Sequence, residues 1–414
     1  MNAQVPERGA QLVAAGRGIG SGPQWLARIF AGGAHQVLDR IDAGLASGTL
    51  HTTLPDGTIR LLGGRTEGIV AEVTLHDWRS LLRLATGGSI GWYQAWDAGE
   101  WSSSDPVPLF ALFMANAASL GDTARAHGPW RWAARLLHWM HRNSRRGAAK
   151  NIHAHYDLGN DFYAAWLDPT MSYSSGRFER GASSLDAAQQ RKIVTMAERV
   201  GDAHSVLEIG CGWGSLSGQL AAMGKAATAI SLSDEQLAWA RATQPAAIDF
   251  RKQDYRDVTG QFDAIVSVEM VEAVGQAYWP DFFDCITRCL KPGGRAAIQY
   301  IAIRDELFDA YASSADFIQA YVFPGGMLVR ESAFRGLAAE RGLQWCDQTG
   351  FAIDYAETLR LWRANFDRAV EQGRLPSGFD QRFVRLWRFY LMYCEGGFRG
   401  GGIDVAQVTL VKSA

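Results

Sequence analysis

From about residue 200 onward, short apolar runs alternate with helix-length amphipathic stretches, and this alternation constrains the fold more than any other feature. The runs are SVLEIG, AATAISL, AIDFRKQD, FDAIVSV, GRAAIQYIAI, LQWCDQTG and DVAQVTLVK. Between them lie helical patterns such as SLSGQLAAMG, DEQLAWARATQ and WPDFFDCITRCL. Strands that alternate with helices pack as a doubly wound α/β sheet, mostly parallel, with ligands at the carboxyl ends of its strands. No internal repeat or low-complexity tract interrupts the pattern.

The 414 residues leave room for a second domain. Residues 1–125 read as a small α+β block. TLHTTLPDGTIRLLGG predicts a hairpin around Pro55-Asp56-Gly57, IVAEVTLH another strand, and DWRSLLRLATGG a helix ending at Gly87-Gly88. Residues 126–150 interleave Trp130, Trp132 and Trp139 with Arg131, Arg135, Arg142, Arg145, Arg146 and Lys150. Such a segment suits either a linker helix packed on a neighbour or a lipid-touching surface. Residues 151–414 hold the α/β domain.

Composition excludes several classes. A net charge of −2 argues against a general nucleic-acid binder. No apolar run reaches the length of a membrane span, and MNAQVPERGAQLVAAGRGIG lacks a signal-peptide core. The five cysteines show no metal-ligand spacing, and their scatter fits a reducing cytoplasm better than a disulfide framework.

VLEIGCGWGSLSG sets Glu208, Gly210, Gly212 and Gly214 between a strand and its helix. Glycines let a backbone approach a ligand closely, and a helix N-terminus favours polar or anionic groups. A tight structural turn is the competing reading. The spacing is E-x-G-x-G-x-G, and it resembles that of S-adenosylmethionine-dependent methyltransferases. That resemblance implies a class I, Rossmann-like domain with a seven-stranded, mostly parallel sheet. Lys291-Pro292-Gly293-Gly294 before GRAAIQYI strengthens it, as does Gln253-Asp254-Tyr255 at the end of a strand. The implied cofactor contacts are Tyr173, Ser174, Glu208, Gly210, Gly212, Gly214, Ser231, Ser233, Gln236, Asp254, Tyr255 and Val268. The second strand ends in Ser231-Leu232-Ser233, without the acid that usually holds the ribose, so hydroxyls and Gln236 are expected to substitute.

SVEMVEAVG then places Glu269 and Glu272 at the mouth of an apolar strand, where carboxylates are costly unless used or neutralised. Together with HAHYDLGNDFYAAWLDPTMSYSSGRFE, SLSDEQLAWA, YVFPGGML, DYAETLRLWRANF and FYLMYCEGGFRGG, this stretch resembles the cyclopropane-fatty-acyl-phospholipid synthases and their mycolic acid methyltransferase relatives. The resemblance implies methyl transfer from S-adenosylmethionine to the cis double bond of an unsaturated phospholipid chain, with a bound bicarbonate as base. Its ligands align with Ser175, Glu272, Gln299, Ile301 and Tyr355, and Glu272 would orient the anion. The competing reading makes Glu272 a strand-end carboxylate capping the next helix. Ser175 stands where the family usually has cysteine, and Gln299 where it usually has histidine; glutamine keeps an N–H donor but cannot relay a proton. The expected product is a cyclopropane fatty acid, with a methyl or methylene branch as the alternative. A small-molecule N-methyltransferase and a catalytically silent lipid-binding protein are the rival functions; Ala273 after Glu272 lacks the histidine that the N-methyltransferases carry. The expected setting is cytoplasmic, peripheral on the inner face of the membrane, without nucleic acid, and a homodimer is compatible with the sequence.

Overall fold

The computed structural model describes residues 8–15, 31–121, 158–179, 184–314 and 316–413. The tryptophan-rich segment 126–150 and the first residues of the HAHYDLGND motif lie outside them. The chain divides into two compact units. One comprises 1–141, 306–324 and 377–403; the other comprises 142–305, 325–376 and 404–414. Two segments that the sequence division placed in the α/β domain therefore group with the N-terminal block.

Aromatic packing explains that grouping. Tyr93, on the helix Arg79–Asp97, meets Phe317, Tyr321 and Phe389 at centroid distances of 4.9, 4.7 and 5.1 Å. These rings come from the helices Phe317–Tyr321 and Gln381–Arg399, which cover an apolar face that the N-terminal residues leave open. The helix Arg79–Asp97 runs through the two glycines where the sequence predicted its end. Gly88, at φ 57° and ψ −138°, kinks it instead, and the apolar run after the kink resumes the helix. The sheet of this unit has the order β2 (Ile59–Gly63), β1 (Thr49–Thr53), β3 (Val70–Leu75), β4 (Trp101–Ser102). The expected hairpin joins β1 and β2, with Leu54 N–H donating to Thr58 O at 2.8 Å and Gly57 at φ 83°.

The second unit carries the doubly wound sheet. Its strands are β5 (Ser205–Ile209), β6 (Ala226–Ser231), β7 (Asp249–Lys252), β8 (Phe262–Val268), β9 (Leu290–Ile303), β10 (Val329–Arg330), β11 (Leu343–Gly350) and β12 (Ile403–Lys412). The order is β11-β12-β9-β8-β5-β6-β7, and the two-residue β10 pairs with β9. The seven expected strands are all present; β10 is too short to leave a periodic signal. Pairs β5/β6, β5/β8, β6/β7 and β8/β9 are parallel, and β11/β12 is antiparallel. The helices Ser215–Ala222, Asp234–Thr243 and Trp279–Cys289 fall on the three helical patterns. Val206, Leu207, Ile265, Val266, Ala296 and Ala297 are fully buried, as a sheet covered on both faces requires. Among the described residues, no helix is long and apolar enough to cross a membrane.

Candidate active site

A pocket opens at the carboxyl ends of β5, β6, β7 and β8, the place where such a sheet binds ligands. Of the residues the sequence nominated for the cofactor, Tyr173, Ser174, Glu208, Gly210, Gly212, Ser231, Gln236, Tyr255 and Val268 line it. Three do not, and each has another task. Gly214, at φ 87°, starts the helix Ser215–Ala222, and a Cβ there would lie 3.0 Å from Ala240 and Phe250. Ser233 caps the helix Asp234–Thr243 by accepting from Gln236 N–H at 3.3 Å. Asp254 pairs with Arg256 at 2.6 Å. Helix caps and ion pairs use the same residue types as ligand contacts, so spacing alone could not separate them.

The glycine loop is shaped for a close ligand. Gly212 has φ 51°, and a Cβ added there would meet no protein atom within 4 Å, although the residue lines the pocket. The loop thus leaves free the space a side chain would fill, and the residues present fit S-adenosylmethionine. Ser231 Oγ bonds Gln236 Oε1 at 3.2 Å, a polar pair at the end of β6 in place of the missing acid. Glu208 is buried and accepts from Ser217 Oγ; burial pushes its carboxyl up to about 7, against the hydrogen bond and the Lys192 charge.

Lys192 is a pocket residue that sequence reasoning missed. It is buried on the helix Leu185–Glu198 and donates to Ser174 Oγ at 2.8 Å and Ser172 Oγ at 3.2 Å. Burial lowers its pKa, while the charges of Glu269, Asp168 and Glu208 act in the opposite direction. A lysine on a buried helical face reads as an interrupted apolar stripe. The one available signal is that such a position needs a partner.

The donors expected around an anion converge on Glu269, to which the sequence assigned no role. Ser175 N–H donates to Glu269 Oε1 at 2.9 Å, Gln299 Nε2 to the same oxygen at 2.7 Å, and Tyr355 O–H to Glu269 Oε2 at 2.7 Å. Glu272 receives only Ile301 N–H of the expected set, and its buried Oε2 has no hydrogen-bond partner among the described residues. Burial first, and then the Glu269 charge, push the Glu272 carboxyl up to about 8. Burial also raises Glu269, opposed by its three hydrogen bonds and by Lys192. A close pair of buried carboxyls cannot both ionise readily, and the donors favour the charge on Glu269.

The residues therefore do not fit a bicarbonate held by Ser175, Gln299 and Tyr355, because this chain's own carboxylate already takes those three donors. The glutamine at 299 belongs to the same arrangement. Gln407 Nε2 donates to Gln299 Oε1 at 2.9 Å, which turns the amide N–H₂ of Gln299 toward Glu269. Ser175 Oγ bonds the Gly176 carbonyl at 2.9 Å, leaving its backbone amide for the carboxylate. Glu269 itself sits at φ 47°, a left-handed conformation uncommon for glutamate. Met171, at φ 55°, lines the same pocket, so two of the three non-glycine residues with positive φ among those described are at this site.

A mostly parallel sheet with a glycine loop and an acid opening onto one pocket at its carboxyl ends defines a class I S-adenosylmethionine-dependent methyltransferase. Residues 143–408 match the family model for mycolic acid cyclopropane synthetase, and the chain belongs to that family. It is 37% identical over 356 residues to the tuberculostearic acid methyltransferase of Mycobacterium tuberculosis, covering 80% of each protein. It is 33% identical over 265 residues to the cyclopropane-fatty-acyl-phospholipid synthase of Escherichia coli K12, covering 62% of this chain and 66% of that one. A solved mycolic acid cyclopropane synthase complexed with SAH and CTAB superposes with a TM-score of 0.59 at 26% identity, over 64% of this chain and 98% of the other. Its bound SAH agrees with the methyltransferase assignment.

Proposed function

We propose that this protein transfers the methyl group of S-adenosylmethionine to the double bond of an unsaturated phospholipid acyl chain, as a methyltransferase peripheral to the membrane. The observation that carries this reading is one pocket joining a glycine loop with a buried acid, in a chain of a lipid-modifying family. The cofactor supplies an electrophilic methyl on a sulfonium. An alkene needs no deprotonation to attack it, so this substrate calls for no nucleophile–base dyad. The protein then has to exclude water, tolerate positive charge and accept one proton. Tyr173 lines the pocket and packs against the buried Trp166 and Trp362, its centroid 5.3 Å from that of Trp362, and an aromatic ring held there is compatible with a cationic intermediate.

Two products remain within this chemistry. A methyl or methylene branch is supported by the 37% identity, over 80% of each protein, to a methyltransferase named for tuberculostearic acid. A cyclopropane ring is supported by the relative from E. coli. A saturated methyl branch would need a further hydride donor. The arginines and tryptophans of 126–150 support a lipid surface as partner. The test is expression in a cyclopropane-deficient bacterial host fed methyl-labelled methionine, with mass spectrometry of the extracted lipids. A gain of about one CH₂ per modified double bond, shifted further by the mass of the retained label, is the expected result. Label confined to small amines would move the protein to the N-methyltransferases.

A further inference from the structure

We propose that the Glu269 carboxylate is the resident proton acceptor of this enzyme, so that its reaction needs no exogenous anion. The inference rests on the methyl-transfer reading above and adds the group that completes the reaction. Three donors from three separate elements converge on its two oxygens: the Ser175 amide from the loop after Met171, the Gln299 amide from β9, and the Tyr355 phenol from the helix Ala352–Glu371. This is a site shaped for a planar oxyanion, and the chain fills it from within. Its residual accessible surface faces the cavity it shares with the glycine loop.

The backbone points the same way. β8 ends at Val268, and the next residue takes φ 47° while its N–H donates to Gln299 O at 2.8 Å. A glutamate in this left-handed conformation is strained, and it persists where the surroundings over-determine it. The charged and titratable groups facing Glu269 are Lys192, Tyr355 and Glu272. Lys192 and Tyr355 favour its ionised form, while burial holds its affinity for a proton above that of a solvated carboxylate. A base of that kind is both charged and able to take a proton from a carbocation.

The step balances without another reagent. The alkene's π pair forms the new carbon–carbon bond as the sulfonium carbon–sulfur bond breaks, leaving a carbocation on the acyl chain. Glu269 accepts one proton from it. The released C–H pair either closes the three-membered ring or, after a hydride shift, makes a new double bond. The carboxylic acid then returns the proton to solvent.

Wild-type turnover in bicarbonate-depleted buffer should equal turnover after bicarbonate is added, and a several-fold stimulation would overturn the proposal. Glu269→Gly should lose about 10²-fold or more in kcat and regain part of it with added bicarbonate or formate, whose oxygens would take up the vacated donors. Glu269→Gln with wild-type turnover would also overturn it. Binding of S-adenosylhomocysteine, measured by calorimetry, reports whether each variant keeps its pocket. A readout independent of turnover is ¹³C-bicarbonate binding by NMR. Binding should be absent in the wild type and present in Glu269→Gly; a bound signal in the wild type sinks the proposal even if no lipid substrate is accepted. Failure of the methyl-transfer reading would show differently, as no label in any lipid.

Discussion

Two turns meet at this pocket, one after β5 and one after β8, and they solve a similar backbone problem in opposite ways. The turn after β5 reaches left-handed φ with Gly210 and Gly212, and at Gly212 the space beside the backbone is open. The turn after β8 reaches it with Glu269, which puts a carboxylate into the space. The first makes room for a ligand and the second fills an anion site in advance. Strain is accepted only at the second, where a side chain is needed.

The largest effect should come from giving the first turn a side chain. Gly212→Val would force a β-branched residue to φ 51° and push methyls into the pocket, so S-adenosylhomocysteine affinity should fall by about 10²-fold or more. Calorimetric titration checks this, and wild-type affinity would place the ligand elsewhere.

The second turn is probed through its donors. Tyr355→Phe removes the phenol from Glu269 Oε2, and a hydrogen bond to a charged group contributes about 1.5–3 kcal/mol, so kcat should fall about 10- to 100-fold. Losing the donor also raises the carboxyl's pKa further. Activity requires the ionised form and disappears as pH falls through that pKa, so the acidic limb of the rate profile should move to higher pH.

Glu272→Gln sharpens the contrast between the two acids. Turnover should stay near wild type, because Glu272 is held protonated and glutamine can still accept from Ile301 N–H. Stability should change with pH instead. A carboxyl pushed up to about 8 in the folded chain takes up a proton on folding, so its favourable contribution is full at low pH. That contribution declines once pH passes the unfolded value and is lost through about 8, each tenfold difference in proton affinity between folded and unfolded chain being worth about 1.4 kcal/mol. The variant's thermal unfolding midpoint should therefore depend less on pH between about 5 and 8. A large turnover loss with unchanged pH dependence would return Glu272 to the reaction.

The smallest effect is expected at the end of β6. Ser231→Ala removes the neutral hydrogen bond to Gln236 and the one accepted from Ser233 N–H, and a loss of about 0.5–1.5 kcal/mol transmitted to the ligand corresponds to a roughly two- to tenfold weaker cofactor, measurable by the same titration.

Much of the frame was legible in the sequence. Apolar runs that follow helical patterns gave all seven main strands, and the E-x-G-x-G-x-G spacing located the pocket, because both signals are local. Gly214, Ser233 and Asp254 do not line that pocket, since a cap, an ion pair and a ligand contact look alike in one dimension. Lys192 escaped notice because its meaning lies in the three buried acids that act on it from other elements. The helix Arg79–Asp97 outran its predicted end because packing around Tyr93 outweighs two glycines.

The sequence by itself determined that two carboxylates would stand where β8 ends, and that a serine, a glutamine and a tyrosine would be available to an anion. Only the tertiary structure decided which carboxylate those donors hold. Glu269 and Glu272 are three residues apart, and no periodicity distinguishes them. Ser175, Gln299 and Tyr355 come from a loop, a strand and a helix that meet only in the folded chain. A left-handed turn at one residue carries Glu269 to all three donors and leaves the Glu272 carboxyl with the Ile301 amide alone of the expected set.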